Sequence, residues 1–383
     1  MNTKTHATTP RFAALLANLA PLAALIALLL GASSAAAAGG RWSAERANTW
    51  YAAQAWPVGV NYVPAYASNA IEFWQAETFN PDAIDRELAL AQGLGFNTLR
   101  IFLNDRVWAA ERDGFKKRIG QFMDIAGRRG MKLIITFFTN GGNHEGAALG
   151  KQPDPLPDVH NGRWIQSPGA PAVNDPSKWP PLKEYVQDIM RTWKDDPRVL
   201  LWCLYNEPEN TRAKSVNHAE SMGLLRAVFE WAREINPSQP LSSPIWQRPG
   251  IHGEASKIDI ISFLGENCDV MTFHCYSKPK ELGIFVNMMK RFNRPMICME
   301  YMGRPDSTFE GSLPIFKRER VGAVSWGLVR GRTNTHLLWA TKRKPGYDPL
   351  NPTEWFHDIF HPDGTPYSQK EVDFIRETTA KKP

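Results

Sequence analysis

Two glutamates stand at the ends of apolar, strand-like runs, where a carboxyl group can act as acid, base or nucleophile. The run VLLWCLY (199–205) stops in Asn206–Glu207–Pro208. Proline gives no amide hydrogen to a sheet ladder, so regular pairing should end there. The run PMICME (295–300) closes on Glu300, 93 residues after Glu207. That spacing is about three βα units at roughly 30 residues each. Cleavage of a glycosidic bond needs such a pair: one carboxylic acid protonates the leaving oxygen while a carboxylate works at the anomeric carbon. At about 5 Å separation the carboxylate attacks directly, whereas about 6.5–9.5 Å leaves room for water. The proton donor needs a raised pKa, which a negative neighbour and partial burial favour. One acid after a strand is more often a solvated cap or ion-pair partner; two on one rim reverse that reading.

Four other residues have side chains whose types would suit such a site. Arg100 in NTLRIFL puts a cation in a strand-like run, and a cation within a few ångströms of a carboxylate stabilises its charge. His274 and Tyr276 in TFHCY share one strand face at i,i+2 spacing. Trp326 in VSWGL offers a flat apolar ring, against which sugar C–H faces pack well. Each has a plainer reading as a structural ion pair or core residue. Adjacent strand residues face opposite ways, so Asn206 and Glu207 reach one ligand only if the chain bends at the strand end. Asn61 and Tyr62, Asn140, Asn143 and His144 follow strands and are candidates to line a cleft. Trp164, Trp179, Trp246 and Trp339 divide equally between binding walls and packing.

The positioning elements are legible as alternation. Strand candidates are 57–62, 97–103, 132–138, 199–205, 239–244, 269–276, 295–300 and 322–329. Their continuous apolar runs suit strands covered on both faces, as in parallel sheets. Between them, Ile84–Leu88–Ala91, Phe115–Ile119–Phe122–Ala126, Tyr185–Ile189–Trp193 and Leu225–Val228–Trp231–Ile235 make helical stripes. Gly95 and Gly130, each just before a strand, suit helix stops. Eight such units predict a single α/β catalytic domain, a (β/α)8 TIM barrel over 41–380. An open doubly wound sheet would bring a nucleotide-binding glycine motif after an early strand, which this sequence lacks. Residues 139–180 and 330–352 are long connections that should emerge on the strands' C-terminal side and shape a cleft.

Composition narrows the partners. The chain has 383 residues and a formal charge of +6. Without Lys4 and Arg11 it holds 43 basic against 39 acidic residues, too even for a polyanion or nucleic-acid partner. Residues 1–38 read as a signal peptide: those two basic residues, an apolar run from Phe12 to Leu30, then small residues to Ala38. A run of that length can also span a bilayer. The Ala-rich cleavage region favours release, with a secreted or periplasmic location and no stable membrane anchor afterwards. Cys203, Cys268, Cys275 and Cys298 have no CxxC spacing, and no HExxH pattern occurs, so neither zinc nor any other cofactor is expected.

With these marks in place, the sequence resembles the glycoside hydrolases of clan A, nearest in layout to the cellulase-like fifth family, across essentially the whole mature chain. The resemblance implies that Glu207 is the acid/base, Glu300 the nucleophile and Asn206 a donor to the sugar 2-hydroxyl. It further implies retention of configuration, an arginine at Arg100 that keeps the nucleophile ionised, a His-x-Tyr pair at His274 and Tyr276, and a sugar floor at Trp326. The histidine and loop sequences of a typical cellulase are missing, which leaves the β-linked saccharide unspecified. A transglycosylase on the same scaffold and a non-catalytic carbohydrate-binding barrel are the alternatives.

Overall fold

In the computed structural model the described residues are 1–2, 40–142, 148–210, 216, 218–246 and 255–380, with 255–258 described by backbone alone. The expected export segment falls almost wholly outside them, as do Asn143 and His144. From Arg41 onward the chain is one compact unit.

Eight strand positions follow in order: β1 (Val58–Asn61), β2 (Thr98–Phe102), β3 (Lys132–Thr139), β4 (Val199–Asn206), β5, β6 (Met271–His274), β7 (Met296–Glu300) and β8 (Gly322–Trp326). The fifth is broken at Ser243 into Leu241–Ser242, which pairs with β4, and Pro244–Ile245, which pairs with β6. Every pairing is parallel, and β1 bonds to both β2 and β8. The sheet therefore runs round from one half of β5 to the other and closes as a barrel.

Helices form at all four predicted stripes and also at places where no stripe is predicted, before β1 and shortly after it. They include α1 (Ala44–Ala52), α2 (Ala70–Trp74), α3 (Pro81–Gly93) and α4 (Asp105–Arg128). Asn80 and Asn104 start α3 and α4 by accepting main-chain N–H bonds with their side chains. Gly95 and Gly130 take positive φ of 75° and 74° where the chain leaves these two helices for the next strand. The predicted faces of α3 and α4 are buried, as are those of α5 (Trp179–Trp193) and α6 (His218–Ile235) apart from half-buried Ile235. No described helix is long and apolar enough to cross a membrane.

Inside the barrel a second cluster joins Ile134, Leu201, Cys203, Val270, Ile297, Met299 and Val324, with Tyr51 of α1. Outward-facing Leu133, Ile135, Trp202, Leu204, Phe273 and Cys298 join the core beneath the helices instead. This alternation sets which side chains can reach the barrel mouth.

Candidate active site

Strand parity alone would send Glu300 away from the mouth, because its neighbour Met299 points inward. A bulge corrects this. Phe273 pairs with Cys298, but His274 pairs with Glu300, so Met299 is an extra residue and the following side chain switches faces. Glu207 arrives by another route. Its φ of 49° lies in the left-handed region, so the chain turns immediately after Asn206. The expected bend exists, and Asn206 and Glu207 both face one cavity.

Arg100 is fully buried and joins the parts together. Its guanidinium donates to Glu300 Oε1 at 2.8 Å, Asn61 Oδ1 at 3.1 Å, Thr136 Oγ1 at 3.1 Å and Asn206 Oδ1 at 2.5 Å. Asn61 is in turn fixed by donating to the carbonyls of Met299 and Ser325. The Tyr276 hydroxyl donates to the other oxygen of Glu300 at 2.9 Å. Burial pushes the Glu300 carboxyl above its usual pKa, and the charge of Glu207 adds to this. Arg100, His274 and the Tyr276 hydrogen bond oppose the rise.

His274 lies between the acids, its Nδ1 2.7 Å from Glu207 Oε1 and 3.4 Å from Glu300 Oε2. Burial drives its pKa down to about 3, so the ring is neutral near neutral pH. With its hydrogen on Nδ1, facing the two acids, Nε2 is a buried acceptor without a partner among the described residues. Glu207 also receives a hydrogen bond from Asn210 Nδ2 at 2.7 Å on Oε2.

One ligand atom each from Glu207, His274 and Glu300 lies within 4.8 Å of the others. Such a trio has donor types that suit a metal ion. A cation there would also meet the Arg100 guanidinium held 2.8 Å from Glu300, so the charge arrangement disfavours one.

A cavity of about 220 Å3 opens over these acids. Phe102, Trp164, Trp246, Trp326 and Trp339 line it with Tyr276 and both glutamates. Trp326 meets Phe102 and Trp164 edge-on, with ring centres 5.6 and 5.8 Å apart, which fixes it as a stiff apolar floor. Glu207 and Glu300 are 8% and 7% exposed, enough to meet a ligand in a largely dry site.

All seven residues singled out as catalytic or substrate-binding thus meet at one place. Two secondary expectations, Tyr62 and Asn61, need correction, and the even choice for Trp179 falls on packing. Tyr62 is core: its hydroxyl donates to Glu87 and its ring stacks on Phe122. Trp179 packs against Trp231 and bonds the Ala172 carbonyl, away from the cavity. Asn61 acts beneath the cavity through Arg100. Asn140 lines the cavity while holding the Pro208 carbonyl and receiving the Tyr205 hydroxyl, so it also steadies the Glu207 turn. The sequence reading missed His160, Asn161, Asn210 and His357, which also line the cavity. They sit in long connections or just after the turn, where neither periodicity nor strand ends mark them.

No family model matches this sequence, and no curated protein matches it. Solved structures do. A GH5_18 protein from Streptomyces cattleya in complex with GlcNAc is 16% identical, with a TM-score of 0.57 over 85% of this chain and 81% of that one. A GH5_18 variant from Bifidobacterium longum in complex with Manb1-4GlcNAc is 12% identical, with a TM-score of 0.56 over 84% and 77%. The endo-beta-1,4-mannanase from Thermotoga petrophila is 15% identical, with a TM-score of 0.51 over 84% and 76%. At such identities the likeness is one of fold, and the fold it establishes is the (β/α)8 barrel.

Proposed function

We propose that this protein is a secreted, retaining glycoside hydrolase acting on a β-linked saccharide. The observation that carries the reading is the approach of Glu207 and Glu300 to within 4.8 Å at an aromatic-lined barrel mouth. That gap, between one oxygen of each acid, is nearer the roughly 5 Å of direct attack than the roughly 6.5–9.5 Å that leaves room for water. Clan resemblance in the sequence supports the same roles, as does a shared barrel with proteins described as a mannanase and as complexes with GlcNAc or Manb1-4GlcNAc. β-Mannosides are therefore the first substrates to offer. The signal-like residues 1–38 support export.

In the first step a Glu300 oxygen bonds to the anomeric carbon. The bond to the leaving oxygen breaks, and that oxygen takes the Glu207 proton. Arg100 and Tyr276 hold Glu300 ionised and aimed, while Asn206 is placed to meet the sugar 2-hydroxyl. In the second step Glu207, now a carboxylate, takes a proton from water. The water oxygen bonds to the anomeric carbon and the ester to Glu300 breaks. Two inversions give net retention.

The test is a panel of β-linked aryl glycosides and oligosaccharides with the wild type, Glu207→Gln and Glu300→Ala. Both variants should lose at least about 1,000-fold in kcat, in line with loss of a group that acts covalently or transfers the proton. Azide should restore Glu300→Ala on an activated glycoside and yield the inverted glycosyl azide. Normal turnover by Glu300→Ala would overturn the nucleophile assignment.

A further inference from the structure

The catalytic cavity does not end at its own walls. A second groove, of about 570 Å3, is lined by Asp158, Val159, His160, Trp339, Ala340, Thr341 and Arg343. It shares His160 and Trp339 with the cavity, so the two adjoin at these rings. Trp339 packs edge-on against Tyr276, ring centres 5.2 Å apart, and Tyr276 bonds Glu300. The groove thus lies one aromatic ring beyond the residues that hold Glu300.

The far wall carries a fixed cation. Arg343 donates from Nε to the Leu338 carbonyl at 3.1 Å and from Nη2 to the Asp158 carbonyl. Its guanidinium carbon lies 5.3 Å from the Tyr347 ring centre, and Leu338 N–H in turn donates to the Tyr347 hydroxyl. No carboxylate pairs with Arg343 among the described residues. Main-chain carbonyls orient a guanidinium without neutralising it, and its remaining N–H groups suit a planar or tetrahedral anion. Its chain neighbours Lys342 and Lys344 are basic too. Lys342 and Lys278 reach Asp306 at 2.7 and 3.8 Å, and Lys344 is close enough to help hold that carboxyl below its usual range. Asp306 is thus shared among these lysines, while Asp158 offers Arg343 its carbonyl.

We propose that this groove is a distal subsite for an anionic substituent on the saccharide, a carboxylate, sulfate ester or phosphate ester, recognised chiefly by Arg343. The proposal rests on the glycoside hydrolase reading and deepens it by naming a substrate class. Trp339 carries the connecting sugar on its face, and Arg343 meets the charge beyond it.

The experiment uses matched pairs of β-linked oligosaccharides that differ only in one sugar. One member is neutral; the other carries a uronic carboxylate, a sulfate or a phosphate, each as a separate arm. The readout is the ratio of kcat/KM within a pair, together with binding of the same pairs to Glu300→Ala. In the wild type at least one anionic arm should exceed its neutral partner by about three- to tenfold, the range of a partly exposed, charge-assisted contact. Raising salt from about 10 mM to about 1 M should erase that preference, since screening then acts within about 3 Å. Arg343→Gln should bring the ratio near one, and Arg343→Lys should keep part of it. The wild-type salt series carries the test even if Arg343→Gln disturbs its loop. Equal rates within every pair, with turnover present, would overturn the subsite and leave the hydrolase reading intact. If no glycoside is turned over, the hydrolase reading fails, and binding decides the groove. Salt-sensitive preference for an anionic arm supports it, and equal binding refutes it.

Discussion

Tyr276→Phe isolates one hydrogen bond on the proposed nucleophile. The phenol oxygen donates to Glu300 Oε2 at 2.9 Å, and burial keeps that phenol protonated by pushing its pKa well above the usual value. Phenylalanine retains the ring that contacts Trp339 and His357, so packing should survive. A buried hydrogen bond to a charged group is worth about 1.5–3 kcal/mol. At 1.36 kcal/mol per pKa unit, removing it should raise the Glu300 pKa by about one to two units. The direction follows because the hydroxyl stabilises only the carboxylate, and burial already pushes this acid upward. Glu300 must be ionised to attack. The acid limb of kcat/KM should therefore move up by the same one to two units, a loss of about 10- to 100-fold on that limb. The plateau above it should fall by less than tenfold. An aryl glycoside with a good leaving group suits the assay, because it makes little demand on the proton donor. A limb at unchanged pH with kcat/KM within about twofold throughout would refute the argument that Tyr276 controls the charge on Glu300.

Two further substitutions probe the scaffold. Arg100→Met leaves Glu300 buried without its cation and removes donors to Asn61, Thr136 and Asn206, so denaturant melts should show a loss of about 3–5 kcal/mol; a loss below about 1 kcal/mol would mean the network is not coupled as described. Asp358 is wholly buried, and burial raises its pKa from 3.8 to about 7 although it accepts a hydrogen bond from Thr335. A raised carboxyl adds stability that is fully present below its unfolded pKa and lost as pH rises through the folded value, up to about 4 kcal/mol here. Asp358→Asn should flatten the decline between about pH 4 and 7 and gain most near about pH 8, while unchanged melts at every pH would refute it.

The sequence made the barrel and both acids legible because these are properties of local runs. Apolar stretches at strand length, helical stripes and Pro208 carry their meaning without tertiary context. Even the break in the fifth strand left its position readable, since both halves lie within or beside 239–244. What stayed hidden depends on distant partners. Tyr62 looked like a cleft residue because it ends a strand, yet the deciding fact is Glu87, 25 positions away, which takes its hydroxyl. His160 and Trp339 meet only because two long connections fold over one another, and His357 reaches the same place from later still. Long loops have no period to read.

The direction of each glutamate was the hardest matter, because ideal strand geometry gives the wrong answer for one and no answer for the other. Glu300 needs the extra residue at Met299 to face inward, and Glu207 needs a left-handed backbone that costs an ordinary residue about 1–2 kcal/mol. Asparagine tolerates that region through its short polar side chain, and four of the seven described non-glycine residues there are asparagines. Of the other three, Glu207 and Met302 lie at the ends of the two acid-bearing strands. The Asn140 bond to the Pro208 carbonyl holds the first of these turns, and His357 bonds the Met302 carbonyl at the second. Strain at a rim persists only where the surroundings over-determine it. Here the same neighbours that impose it also bring the two carboxylates together, so the departures from regular strand geometry are part of how this barrel assembles its site.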